Sequence, residues 1–116
     1  MACATLFFLQ DEANASVRQS FAHAIGLDND GLEHFLSHHL PYLRTLPTAV
    51  IGNIAGKTED EFVAMAARVG EAGHGLAALE LNLSCPNVSG GLDFATNPDV
   101  TRRIVRSCRD VCPLPL

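Results

Sequence analysis

Two short apolar runs, each followed by a loop and then by an amphipathic pattern, organise the chain. Thr48-Ala-Val-Ile-Gly-Asn-Ile-Ala55 is continuous and compact, as expected of a strand buried in a parallel sheet. Gly56-Lys57 makes a loop, and Thr58 with Glu61 three residues on fits a capping box. Phe62, Met65, Ala66 and Val69 then recur at i, i+3, i+4 and i+7, which predicts a helix whose exit is marked by Gly70, Gly73 and Gly75. Ala77 to Leu83 is the second apolar strand. Ser84 to Ala95 follows as a polar, Gly-rich loop of about a dozen residues, longer than most strand-to-helix connections and so a candidate for function. Asn97-Pro98 reads as an N-cap with proline at the first helical position, and Val100, Ile104, Cys108 and Val111 continue at helical spacing.

The flanks are less regular. Residues Leu6 to Leu9 and the polar run after them give no clear periodic signal. Asp28-Asn29-Asp30-Gly31 is a turn or cap cluster. A short helical pattern then puts Leu32, Phe35, Leu36 and Leu40 on one side, and Pro41 and Pro47 bracket a connection. Pro113-Leu-Pro-Leu116 stands where another strand could begin. Strand, helix, strand, helix implies an α/β fold with parallel pairing and right-handed crossovers. Ligands of such sheets sit beyond the carboxyl ends of the strands. Asn53 and the segment from Asn82 to Asn87 both fall at that end, so two strands aim amides and a thiol at one place.

Composition narrows the class. The 116 residues carry a formal net charge of −5 and are 47% hydrophobic, which fits one soluble globular domain. The acidic balance, with Arg102, Arg103, Arg106 and Arg109 spread along one segment, argues against a nucleic-acid surface. No apolar run approaches the roughly 20 residues of a membrane span. The apolar N-terminus lacks a basic leader, which argues against a signal peptide. Cys3, Cys85, Cys108 and Cys112 show no CxxC spacing, so a reducing cytoplasm is expected. Cys108 and Cys112 read as packing residues on a helix face, two ligands being too few for structural zinc.

The candidate chemistry concentrates in Glu80 to Gly91, ELNLSCPNVSGG. Cys85 lies between Asn82 and Asn87, just before a proline and a Gly-Gly pair. A free thiol titrates near pKa ~8.5 and acts as a base or nucleophile when its surroundings tune it. Each flanking carboxamide offers two donors and an acceptor, suited to the edge of a pyrimidine or flavin. Packing cysteine and local backbone capping are the alternatives for these residues. In His23-Ala-Ile-Gly-Leu27, Gly26 suggests close approach of backbone to a ligand, the alternative being an ordinary turn. Asn53 has strand-end turn chemistry as its alternative. His34, His38 and His39 cluster, with His34 and His38 on one helix face, but no third convergent ligand supports a metal site. There is no Walker A motif, no GxGxxG after a strand and no GxSxG.

Three stretches, HAIGLDNDGLEHFL, VIGNIAGKTEDEFVAMA and ALELNLSCPNVSGGLDFATNPDVTRRIV, together resemble class I dihydroorotate dehydrogenase. They occur in that family's order and at about its spacing, and cover nearly everything from His23 onward. SCPN is the most specific element, and the VSGG after it resembles the NAD-linked branch more than the fumarate-linked one. The resemblance implies part of a (β/α)8 TIM barrel, three to four βα units of it, in a flavoenzyme of pyrimidine biosynthesis. It implies Cys85 as the general base that takes a proton from C5 of dihydroorotate, with FMN as hydride acceptor at C6. Asn82 would contact FMN and substrate, Asn87 the orotate edge, and Asn53 the FMN. His23, Ala24, Ile25, Gly26 and Leu27 would hold substrate largely through backbone groups, His23 standing where the family usually has Asn. The implied partners are an iron–sulfur, FAD-carrying electron-transfer subunit and, at full length, further copies of the chain.

A (β/α)8 barrel takes about 250 residues, so residues 1–116 are read as a partial catalytic domain, poorly matched over 1–20 and inactive alone. Two other readings stand beside it. One is a non-catalytic remnant or interaction module. The other is a related flavin barrel acting on a different pyrimidine.

Overall fold

Three parallel strands form one sheet in the computed structural model, which describes residues 3–9, 31–72, 74–84 and 94–116. They are β1 (Cys3–Leu9), β2 (Ala49–Ala55) and β3 (Ala78–Leu81), in the spatial order β1-β2-β3. The α/β alternation and parallel pairing expected from the sequence are both present. β1 is a correction, because the hydrophobic pattern around Leu6–Leu9 gave no element there. It pairs with β2 along its whole length, from Cys3↔Ala49 to Leu9↔Ala55. CATLFFL does not alternate, and no Gly or Pro bounds it as Pro47 and Gly56 bound β2, so nothing local marks it as a strand. What defines it is a partner more than forty residues away in sequence.

The connection from β1 to β2 includes a helical stretch of three parts: α1 (Leu32–His34), a π-helical segment (Phe35–His39) and α2 (Leu40–Leu43). Phe35, Leu36 and Leu40 are buried, as their spacing predicted. Pro41, expected to bound a connection, instead lies inside this stretch. The π segment ends as the Leu40 N–H donates to the Phe35 carbonyl, and Pro41 then occupies the first turn of α2, where a missing N–H costs nothing.

Helix α3 (Glu59–Ala72) begins at the predicted cap. Thr58 Oγ1 accepts from the Glu61 N–H at 3.2 Å, and the Glu61 carboxylate reaches back to the Lys57 N–H at 2.6 Å. Phe62, Met65, Ala66 and Val69 are all buried, and share one core with Val50, Ile54 and Leu79 of the sheet. A 3₁₀ turn (Phe94–Thr96) leads into α4 (Pro98–Val111). Here the expected loop to Ala95 ends early, because Phe94 is buried and its ring meets Phe62 edge-on at 5.9 Å. Asn97 caps α4 through Oδ1, which accepts from the N–H groups of Asp99 and Val100 at 3.1 and 3.2 Å. Ile104 and Cys108 are buried, but Val111 is exposed and Cys112, the extended residue that ends the helix, is buried in its place. Beyond it the Pro115 carbonyl accepts from the Leu79 N–H at 2.9 Å, so the final residues run beside the outer edge of β3.

Gly70 is a second correction. It lies within α3 and does not mark its exit. A Cβ there would stand 2.9 Å from the Val111 carbonyl oxygen and 3.1 Å from Pro113 Cδ, so α4 closes onto α3 over a bare backbone. Gly70→Ala is therefore expected to lower the thermal midpoint. Alanine's helix propensity is about 1 kcal/mol better, but displacing backbone from a packed contact costs about 1–3 kcal/mol. An unchanged or raised midpoint in a calorimetric scan would contradict this packing. Gly75 does help to end the segment, with φ of +104°. A Cβ there would lie 2.6 Å from Arg44 Cγ. Its absence lets the Arg44 guanidinium cap the carbonyls of Ala72 (3.4 Å) and His74 at the positive-seeking end of α3.

Two forked ion pairs tie the helices together. Arg68 binds Glu33 at 2.5 and 2.8 Å, and Arg103 binds Glu59 at 2.7 and 3.3 Å. Hydrogen bonding from each guanidinium holds its partner carboxyl below the usual carboxylate range. Both pairs are solvent-exposed, so screening leaves them a small share of stability beside the core beneath them.

Candidate functional site

Alternation along β2 sorts its side chains. Val50 and Ile54 enter the core shared with α3, which turns Asn53, one residue before Ile54, to the opposite face of the sheet. Register places Glu80 of β3 directly beside Asn53. Residues paired across parallel strands point the same way, so the two side chains meet: Asn53 Nδ2 donates to Glu80 Oε1. Asn53 is 1% exposed, and its Oδ1 is buried without a hydrogen-bond partner among the described residues. Such an orphan acceptor costs roughly 1–3 kcal/mol, a cost a folded chain retains where something else fills the acceptor.

Asn82 follows two residues after Glu80 and so falls on the same face. Its N–H donates to the Ile54 carbonyl at 2.8 Å, continuing the ladder past Leu81 and anchoring the start of the loop. Its side chain is half-buried and takes no partner among the described residues. The structure thus brings Asn53, Glu80 and Asn82 together on the face away from α3. Cys85 and Asn87, and the segment His23, Ala24, Ile25, Gly26, Leu27, lie outside the described residues.

Glu80 was not singled out from the sequence. A signal was present: a carboxylate between Leu79 and Leu81, in phase with Asn82 two residues on, cannot share the apolar face of its strand. Which residue it meets on β2 is a matter of register alone.

The remaining candidates are the histidine cluster and the two cysteines at the end of α4. His34 and His38 rings stack with centroids 4.2 Å apart, His39 tilts against His34 at 5.1 Å, and Ser37 Oγ lies 2.8 Å from His38 Nδ1. Among the described residues no group of three or more His, Cys, Asp or Glu could hold a metal ion. Cys108 and Cys112 are free and buried, and burial, with a smaller contribution from Cys112, pushes the Cys108 thiol up to about 11. A thiol so raised packs rather than reacts. No helix among the described residues is long and apolar enough to cross a membrane.

Comparison with known proteins adds the family. A family model described as dihydroorotate dehydrogenase matches residues 13–116. The catalytic subunit of dihydroorotate dehydrogenase B (NAD(+)) from Listeria monocytogenes serotype 4b (strain CLIP80459) is 46% identical over 103 residues, which are 88% of this chain and 34% of that protein. The subunit of the same name from Anoxybacillus flavithermus is 39% identical over 103 residues, 88% of this chain and 33% of that protein. That from Bacillus caldolyticus is 43% identical over 95 residues, 81% of this chain and 30% of that protein. The chain spans about a third of the length of these curated relatives. With its parallel strands and amide-bearing strand ends matched along nearly its whole length, the chain belongs to the dihydroorotate dehydrogenase family.

Proposed function

We propose that this chain contributes the catalytic segment of a flavin-dependent dihydroorotate dehydrogenase of the NAD-linked kind. The observation that carries the proposal is the buried, unpartnered carbonyl of Asn53 beside Asn82 on one sheet face, in a chain of this family. The three-stranded parallel sheet, with the last residues against the edge of β3, is compatible with the opening portion of a (β/α)8 barrel.

FMN is the cofactor these residues fit. A planar heterocycle with an imide edge offers the N–H donor that Asn53 Oδ1 lacks, and Asn82 adds a carboxamide within the same surface. When bound, FMN would supply the hydride acceptor. The chain's own residues do the rest. Asn53 and Asn82 orient the ring. Cys85, three residues beyond Asn82, takes the proton from C5 of dihydroorotate. Asn87 and the His23–Leu27 backbone hold the orotate edge. An electron-transfer subunit carrying FAD and an iron–sulfur centre would accept the electrons, in keeping with relatives named as NAD(+)-linked catalytic subunits. The setting is the cytoplasm, and full-length chains associate with one another.

Anaerobic mixing of the purified full-length protein with dihydroorotate tests this. Bleaching of the flavin absorbance at one equivalent of substrate, with none by dihydrouracil or dihydrothymine, is expected. Bleaching by those compounds instead would assign the site to another pyrimidine, and absence of bound flavin would leave a non-catalytic remnant.

A further inference from the structure

We infer that Glu80 is a positioning residue that decides which end of the Asn53 amide is presented to the ligand. The inference rests on the flavin reading above and extends it to a residue that contacts no ligand itself.

A primary amide can sit in two orientations that differ only by exchange of oxygen and nitrogen. On the face of β2 away from α3, the side chain beside Asn53 is Glu80, held there by the register Asn53↔Glu80. A carboxylate only accepts, so an amide oxygen turned toward it would set two acceptors against each other. An amide nitrogen turned toward it makes a charge-assisted hydrogen bond, and this is the arrangement found. The amide oxygen is then directed away from Glu80, buried and without a partner among the described residues. Glu80 thereby converts a group of ambiguous polarity into a fixed acceptor, selective for a ligand edge that presents an N–H. Both residues stand on neighbouring strands, so little freedom is lost when ligand binds. Glu80 is exposed, and the only hydrogen bond of its side chain among the described residues is to Asn53.

The test is a double-mutant cycle in the full-length protein, read as the FMN dissociation constant by flavin fluorescence and, separately, as the thermal midpoint of the flavin-free protein. Glu80→Ala and Asn53→Ala are each expected to weaken FMN about tenfold, the worth of one buried hydrogen bond. Because Glu80 acts through Asn53, the double variant should bind no worse than about twofold below either single one. Glu80→Gln, whose amide oxygen still accepts from Asn53, should bind within about threefold of the parent. The flavin-free midpoint should fall in Glu80→Ala, which leaves the buried Asn53 Nδ2 without its partner, and should hold in Glu80→Gln. Multiplying effects in the double variant, a Glu80→Gln protein as weak as Glu80→Ala, or unchanged binding in Glu80→Ala would each overturn the inference. A parent protein that binds no FMN overturns the functional reading beneath it, so the two failures are distinguishable.

Discussion

Cys85→Ala is expected to slow reduction of the bound flavin by dihydroorotate by about 10²–10⁴-fold, the usual contribution of a positioned general base, while flavin stays bound in stoichiometric amount. The expectation follows from what each residue would do. Asn53, on β2, and Asn82, which follows β3 with its N–H on the Ile54 carbonyl, would address the ring, whereas Cys85, three residues further along the chain, would take the proton. Removing the thiol would take away the proton acceptor and leave the amides in place. Stopped-flow absorbance under anaerobic conditions measures the rate. Cys85→Ser separates chemistry from shape: a hydroxyl fills the site but is a far poorer base, so its rate should also be low and should rise as the pH is raised. If Cys85→Ala reduces its flavin within about tenfold of the parent rate, the base lies elsewhere.

Phe62→Ala should carry the largest effect on stability, about 3–5 kcal/mol, the range for removal of a buried aromatic ring. Phe62 is fully buried, and it joins three elements at once. It projects from the first turn of α3 into the core beneath Val50 and Ile54 of β2, and its ring meets Phe94 edge-on. It also limits Gly56, where a Cβ would come 3.2 Å from the Phe62 ring, so the β2–α3 loop is built closely around this side chain. Domains are stable by only about 5–15 kcal/mol in all, so the loss is a large fraction of the total. Urea denaturation followed by circular dichroism should show a clearly lower midpoint for Phe62→Ala and a smaller shift for Phe62→Leu. A loss below about 1 kcal/mol would mean that the ring is not the joint described.

The legible part of the fold was the part written locally. β2 needed only a continuous apolar run, and the capping box of Thr58 and Glu61 announced α3 before any packing was known. Asn97 and Pro98 did the same for α4. The spacing of Phe62, Met65, Ala66 and Val69 named one buried face correctly, because helical period is intrinsic to a few turns of chain. Val111 failed the same test at the C-terminal end of α4, where the chain becomes extended and Cys112 takes the buried position. Pro41 misled because a proline that opens a helical turn looks, in sequence, like one that ends it.

For the site, the amides Asn53 and Asn82 were legible as residue types at strand ends, and the motifs of the chain carried the family. The strand character of Cys3–Leu9, the bare contact at Gly70 and the meeting of Asn53 with Glu80 were not. Each of these depends on parts of the chain that are distant in sequence: β1 exists through its pairing with β2, Gly70 is required by Val111, and Glu80 reaches Asn53 across 27 positions. Hydrophobic period and capping are properties of neighbours along the chain, so the sequence by itself determined the long helices α3 and α4, the strands β2 and β3, and the family. Register and close approach exist only between strands and helices already packed, so the tertiary structure alone decided which amide meets which carboxylate, and which atom is left without a partner among the described residues.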